Sequence, residues 1–162
     1  TRFDGWFFFF FFESDMASPR TKTKKKGLFF SVRRRRRRTT SVTPHYLTHK
    51  EVARELVLAR LHFWNQYYGF RYNRVAIRNQ KTCWGSCTSL KNLNFSYKLI
   101  FLPPHLQDYV VLHELCHLKE LHHGQSFWDL MGQVMPDYEE RMRELHSLER
   151  SLNNSLRGLV IQ

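Results

Sequence analysis

The sequence predicts an α+β fold, in which a first helix and later helices pack around a small sheet. Apolar residues recur at helical spacing in four segments. Between the first and second of these, an apolar residue stands at every second position from Leu93 to Phe101, which is typical of a strand. No internal repeat is visible in the 162 residues, so a single folded domain is expected.

Residues 1–47 are predicted to be a low-complexity basic tail that remains disordered. Of the formal net charge of +12, +10 lies in residues 1–50, and the tail contains the run Arg33–Arg38. Consecutive arginines repel one another and favour a solvated chain. The alternative is contact with nucleic acid, or with an anionic membrane surface, through Arg33–Arg38. Each phosphate contact would then make binding dependent on salt.

The sequence predicts no transmembrane segment. The apolar run Trp6–Phe12 is far shorter than the roughly 20 residues that span a bilayer. Basic residues follow this run instead of preceding it, which is the wrong order for a signal peptide. Met16 is an alternative first residue, so the status of residues 1–15 is open. Three cysteines, an odd number, favour a reducing compartment, and we predict a cytoplasmic location.

The first helix is predicted to begin at Thr48, because Thr48-His49-Lys50-Glu51 has the pattern of a capping box. It should end at Tyr68, since Gly69 is a typical C-terminal breaker. Its core face is predicted from an apolar stripe at helical spacing, formed by Val52, Leu56, Ala59 and Phe63 and widened by Ala53, Val57 and Trp64.

Two strands and three more helices are expected after Gly69. The strands are Arg74–Arg78 and the alternating segment, joined by a turn-rich connection. Pro103-Pro104 should end the second strand and open a helix that reaches Leu121. A third helix is expected to include Phe127, and a fourth is expected to start at Pro136-Asp137. The folded domain is assigned to residues 48–150, and residues 151–162 are expected to fray.

The second helix carries the pattern His113-Glu114-Leu115-Cys116-His117. Histidines four residues apart lie one turn above each other on the same helix face, so both imidazoles can bind one Zn²⁺. Glu114 is displaced around the helix and can contact a water on the metal without binding the metal. The metal lowers the pKa of that water to about 7 and the carboxylate accepts its proton, which is typical of zincin hydrolases.

A catalytic zinc needs a third protein ligand. His122 and His123 follow His117 by five and six residues, and on an uninterrupted helix neither would face the metal. The chain is therefore expected to turn between Leu121 and Gly124, with Gly124 as the helix breaker. Spacing alone does not say which of these two histidines binds.

Five motifs then occur in order and at close spacing: Lys81-Thr82-x-Trp84-Gly85-Ser86-Cys87, Asn92-Leu93-Asn94-Phe95, the helix from Asp108 through Leu118, His123-x-x-x-Phe127-Trp128 and Met135-Pro136-Asp137-Tyr138. Together they resemble the YgjP-like metallopeptidase domain, a relative of the SprT-like zinc metalloproteases. The resemblance covers roughly residues 48–148. It implies a minimal zincin-like fold with a support helix, a small antiparallel sheet, the metal-binding helix and C-terminal helices. It also implies a Zn²⁺ cofactor and a peptide or protein substrate. It also implies that the third ligand is the histidine four residues before Phe-Trp, which is His123.

One position departs from the pattern of that family. An arginine usually precedes Trp-Gly-Ser-Cys, whereas this chain has Cys83. If that arginine contacts substrate or a backbone carbonyl, its role is lost here or passes to Arg78 or Lys81.

The predicted function is a zinc-dependent metalloendopeptidase, with His113, His117 and His123 as ligands and Glu114 as general base. Further candidates for substrate binding, for orienting a ligand or for binding an oxyanion are Trp84, Asn94 and Tyr138. The Trp84–Ser89 segment is a candidate sheet edge to which an extended substrate can add. The alternatives are a metal-dependent hydrolase of nucleotide phosphoanhydrides and a non-enzymatic nucleic-acid-binding protein that uses Arg33–Arg38. The oligomeric state is open.

Overall fold

The structure, a computed structural model, describes residues 42–158. The predicted tail therefore lies outside the described residues as far as position 41, including Arg33–Arg38. The described chain contains four α-helices, three strands and one 3-10 helix. In chain order these are α1 (Pro44–Tyr68), β1 (Arg74–Arg78), β2 (Gly85–Cys87), β3 (Asn92–Ser96), the 3-10 helix (Tyr97–Phe101), α2 (Pro104–Cys116), α3 (Gln125–Val134) and α4 (Tyr138–Gly158). The predicted α+β fold is confirmed.

Helix α1 begins four residues earlier than the capping box predicted. Thr43 is the N-cap, and its Oγ1 accepts a hydrogen bond from the backbone N–H of Tyr46 at 3.2 Å. Pro44 stands in the first turn, where its fixed φ and missing N–H cost nothing. Thr48 lies inside the helix and donates to the Pro44 carbonyl, so its predicted capping role is wrong. The predicted end is confirmed, with Gly69 in the left-handed region at φ 63°.

The core face of α1 lies on the widened flank of the predicted stripe, at Ala53 and Val57, and not along its centre. The side chains that it buries are those of Tyr46, Ala53, Val57 and Leu61, whereas Val52 is 56% and Phe63 is 46% exposed. Both stripes repeat at helical spacing, and spacing does not say which flank meets the sheet.

The sheet is mixed, not antiparallel as predicted. Its strand order is β1-β3-β2, with β1 parallel to β3 and β2 antiparallel to β3. A tight turn joins β2 to β3, in which Lys91 has φ 56°. This hairpin reverses the chain and brings β3 alongside β1 in the same direction. Strand β2, in the segment predicted as the sheet edge, is therefore an edge strand.

The predicted second strand is shorter than its alternating pattern. Strand β3 ends at Ser96, whose hydroxyl accepts from the Lys98 N–H and starts the 3-10 helix. Tyr97 and Leu99 are buried in that helix nonetheless. Phe101, the last residue of the alternating pattern, is 56% exposed, so the pattern indicated burial only as far as Leu99 and did not indicate strand geometry after Ser96.

Helix α2 is the centre of the fold. All residues from Tyr109 to Leu118 are buried, because α2 contacts α1, β2, α3 and α4. The helix ends at Cys116 and not at the predicted Leu121. Helix α4 continues through residues 151–158, which the sequence assigned to a fraying end. None of the described helices is long and apolar enough to cross a membrane.

Candidate metal centre and active site

Three histidine side chains converge at the C-terminal end of α2. The Nε2 atom of His113 lies 3.1 Å from that of His117 and 3.0 Å from that of His123. Two nitrogens bound to one tetrahedral zinc at about 2.0–2.1 Å lie about 3.3 Å apart. The three imidazoles therefore fit a single divalent cation with little adjustment. They are also the one such histidine group found among residues 42–158.

The early end of α2 explains how His123 reaches the other two. After Cys116 the chain forms a tight turn, in which the N–H groups of Lys119 and Glu120 both donate to the Cys116 carbonyl. The loop then returns His123 to the helix end. The predicted turn between Leu121 and Gly124 thus begins earlier, and Gly124 is the N-cap of α3 and not a helix breaker.

The surroundings of the histidines orient their rings. The Nδ1 atom of His117 lies 2.9 Å from the Glu120 carbonyl oxygen and donates to it, which leaves the Nε2 lone pair for a metal. The ring of Phe127 contacts all three imidazoles at centroid distances of 4.7–4.9 Å. Burial lowers the pKa of all three histidines, and that of His117 to about 4. The imidazoles are therefore neutral at pH 7, as metal ligands must be.

Glu114 lies beside this group with its carboxyl group enclosed. The residue is 1% exposed, and its Oε2 has no hydrogen-bond partner among the residues that the structure describes. Burial raises the pKa of Glu114 well above its usual value. A cavity of about 20 Å³ adjoins Glu114 and His113, and this volume holds about one water. The orphaned carboxylate oxygen and the water-sized cavity both fit a site that binds a metal and a water.

Residues 14–148 match the family model of the YgjP-like metallopeptidase domain. The chain belongs to the YgjP-like metallopeptidase family. A metallopeptidase requires a metal ion, and within residues 42–158 the three histidines form a group that can hold one. The match begins well before position 48, the predicted start of the domain.

The fold of this YgjP-like domain agrees with that of one solved metallopeptidase zymogen. The metallopeptidase zymogen of Pyrococcus abyssi abylysin is 23% identical over 56% of this chain and 92% of that chain, with a TM-score of 0.51. The metallopeptidase zymogen of Methanocaldococcus jannaschii jannalysin is 20% identical over 59% of this chain and 94% of that one, with a TM-score of 0.46. A search of curated proteins finds no match.

The YgjP-like site includes one residue whose smallness is required by geometry. A Cβ atom at Gly85 would lie 2.5 Å from Oε1 of Glu114 and 2.6 Å from its Cγ. We expect Gly85→Ala to displace the carboxylate and to lower kcat/KM by about 100-fold, because misplacement of about 1 Å has that effect. Overpacking should also cost about 1–3 kcal/mol of stability. Peptide hydrolysis, metal content and Tm measure the three effects.

Ser86→Ala is the matched control for that substitution, since adjacent strand residues point to opposite faces. Equal activity of Gly85→Ala and the wild type would contradict the role assigned to Gly85.

A stack of aromatic rings supports the third histidine. The rings of His123 and Trp128 lie 5.7 Å apart at 27°, and Tyr138 stacks on Trp128 at 5.3 Å and 14°. His123 lies in a loop, so this stack restricts its ring where no helix does. We expect Trp128→Leu to weaken metal binding by about 10–100-fold, the usual effect of removing a support of a metal ligand. Trp128→Phe, which keeps a ring, should bind nearly as the wild type does. Competition with a chromogenic chelator measures both, and equal affinity of Trp128→Leu and the wild type would refute the supporting role.

The lowered histidine pKa values predict unusual resistance of the metal site to acid. A protonated imidazole cannot bind metal, so binding is lost as pH falls through the pKa of the ligands. Because the pKa of His117 is about 4, metal should be retained at pH 5.5 and lost near pH 4. Metal content after dialysis at stepped pH checks this, with circular dichroism to confirm that the fold persists. Half-loss near pH 6.5, the ordinary histidine value, would contradict the prediction.

The structure brings one of the three further candidates into contact with the cavity. Trp84 lines it, and the indole N–H donates to Oε1 of Glu149 on α4 at 2.7 Å. Asn94 is 7% exposed on β3, where its side chain bonds to Arg78 and Ser86 on the sheet face opposite Glu114. Tyr138 is one ring removed from His123, through Trp128. The contacts of Asn94 therefore do not support a role in substrate binding.

Position 83, where the family usually has arginine, lies near the general-base candidate. Burial is the main cause that raises the pKa of the Cys83 thiol, and the charge of Glu114 raises it further. Arg78, one of the two proposed substitutes, donates to Asn94 at 2.7 Å. Lys81 is exposed. Neither Arg78 nor Lys81 therefore replaces the family arginine beside Glu114 in the structure.

Sequence reasoning missed several contributors to the site. The Glu120 carbonyl is a backbone group, and no side-chain pattern marks it. Phe127 was placed in a helix core but not beneath the three imidazoles. Gly85 could have been suspected, because a glycine within a strand often marks close approach by another group.

Proposed function

We propose that this YgjP-like metallopeptidase is a zinc-dependent endopeptidase, with His113, His117 and His123 as zinc ligands and Glu114 as general base. The observation that carries the proposal is the enclosed Glu114 carboxyl beside three converging imidazoles and a cavity the size of one water. Three neutral imidazoles with one open position are a usual ligand set of catalytic zinc. When bound, zinc would polarise the scissile carbonyl and acidify a water.

Each protein group then has a defined task. Glu114 takes the proton of the attacking water and passes it to the departing amine. Its burial raises its pKa, which makes the carboxylate a stronger base than a solvated one. Glu120 holds His117 through its carbonyl, and Gly85 leaves space for the carboxylate.

Strand β2 supports a peptide as the substrate. The backbone oxygen of Trp84 and the N–H of Thr88 bond to β3. By alternation, the backbone groups of Gly85 and Cys87 point to the outer edge of the sheet. An extended peptide can pair with that edge and present its carbonyl to the site next to Glu114.

The lining of the cavity favours a peptide over a nucleotide. It consists of Trp84, Gly85, Tyr109, Val110, His113, Glu114 and Leu145, and so contains no lysine or arginine. Hydrolysis of a phosphoanhydride relies on cations that neutralise the transferred phosphoryl group. Contact with nucleic acid through Arg33–Arg38 stays a prediction.

A substrate screen tests the proposal. The zinc-loaded protein should cleave unfolded proteins or peptides, lose this activity with a chelator and regain it with zinc. Hydrolysis of nucleoside triphosphates with no cleavage of any peptide would overturn the proposal in favour of the phosphoanhydride reaction.

We also propose a cytoplasmic location, which the presence of three free thiols and no disulfide among the described residues supports.

A further inference from the structure

A pair of histidines lies at the beginning of α1, on a different element from the three histidines of the metal centre. His45 and His49 are four residues apart on one helix, and their ring centroids lie 4.3 Å apart. The ring of Phe101 contacts both, at 5.6 Å from His45 and 5.2 Å from His49. The two imidazoles are thus adjacent and packed against a common aromatic surface, which reduces the entropy lost when a ligand fixes them.

One nitrogen of each ring already contacts a protein oxygen. Nδ1 of His49 lies 2.8 Å from the backbone oxygen of His45 and must donate to it, so Nε2 of His49 carries a lone pair. Nδ1 of His45 lies 3.2 Å from the hydroxyl of Tyr97. A metal-binding histidine typically gives its second ring N–H to such an oxygen. His117 and the Glu120 carbonyl show the same arrangement at the metal centre.

We propose that His45 and His49 form a second metal site, which binds one divalent transition-metal ion through their Nε2 atoms. Imidazole nitrogen suits Zn²⁺, Ni²⁺ and Cu²⁺, and water completes the coordination. His45 is exposed, so the ion enters directly from solvent. With two protein ligands instead of three, this site binds more weakly than the metal centre. Its affinity follows the order Cu²⁺ over Ni²⁺ or Zn²⁺.

Zinc titration of the full chain tests this site, with the stoichiometry read by calorimetry. The wild type should bind one equivalent tightly and a second one more weakly. His49→Gln should keep the tight equivalent and lose at least about tenfold in affinity for the weak one. Tyr97→Phe, which keeps both imidazoles but removes the hydroxyl beside Nδ1 of His45, should weaken the second equivalent by about tenfold.

His62→Gln is the matched control, because His62 is an exposed histidine on the same helix. It should leave both equivalents unchanged. Retention of the tight equivalent shows in each variant that the fold is intact. A wild type with a single equivalent would overturn the proposal, and so would equal weakening by His62→Gln and His49→Gln.

Discussion

Replacement of Glu114 by Gln is expected to abolish peptide hydrolysis while the metal remains bound. The amide has nearly the volume of the carboxyl and fits the same enclosed space beside Gly85, but it cannot accept a proton from water. Loss of a general base typically lowers the rate by about 10²–10⁴-fold. The measurement is kcat/KM on an unfolded protein substrate, together with metal content by elemental analysis.

Stability should not fall in Glu114→Gln, because the native carboxyl is buried and its Oε2 has no hydrogen-bond partner among the described residues. Burial already disfavours its charged form, so a neutral amide removes that cost. Glu120→Gln is the control, since it neutralises a nearby acid but keeps the backbone carbonyl that holds His117. Activity of Glu114→Gln within a few-fold of the wild type would refute the general-base role.

Replacement of His123 by Ala is expected to remove the metal, whereas replacement of its neighbour His122 is not. Nε2 of His123 lies 3.0 Å from that of His113, and the group of converging histidines includes His123 and not His122. Loss of a ligand should weaken metal binding by more than the roughly 100-fold that a supporting residue can cost. Hydrolysis should disappear with the metal.

The paired design separates ligand loss from general damage to the loop. Both variants remove the same imidazole atoms at adjacent loop positions, so a loop effect would change both alike. Metal content after gel filtration and circular dichroism are the measurements. Retention of metal by His123→Ala, with its loss from His122→Ala, would reverse the assignment of the third ligand.

Local patterns in the sequence were sufficient for much of the fold. Strand β1 and the C-terminal end of α1 were predicted at the observed residues, because β-branched residues and a left-handed Gly69 act within a few positions. The start of α1 was wrong because two capping signals, at Thr43 and Thr48, lie close together in the sequence. The direction of β3 relative to β1 was also wrong, since it depends on where the intervening hairpin lies in the sheet.

The sequence by itself determined the family resemblance, through five motifs, and the residues that carry the proposed chemistry, a His-Glu-His pattern on the second helix. Only the tertiary structure decided how that chemistry is assembled. Helix α2 ends at Cys116, the loop returns His123 to the helix end, and Gly85 on another element makes space for Glu114. The physical reason is the distance along the chain over which each interaction acts. A helix face is set by residues three and four apart. The approach of His123 to the other two histidines and the space around the carboxylate depend instead on packing between segments distant in the chain.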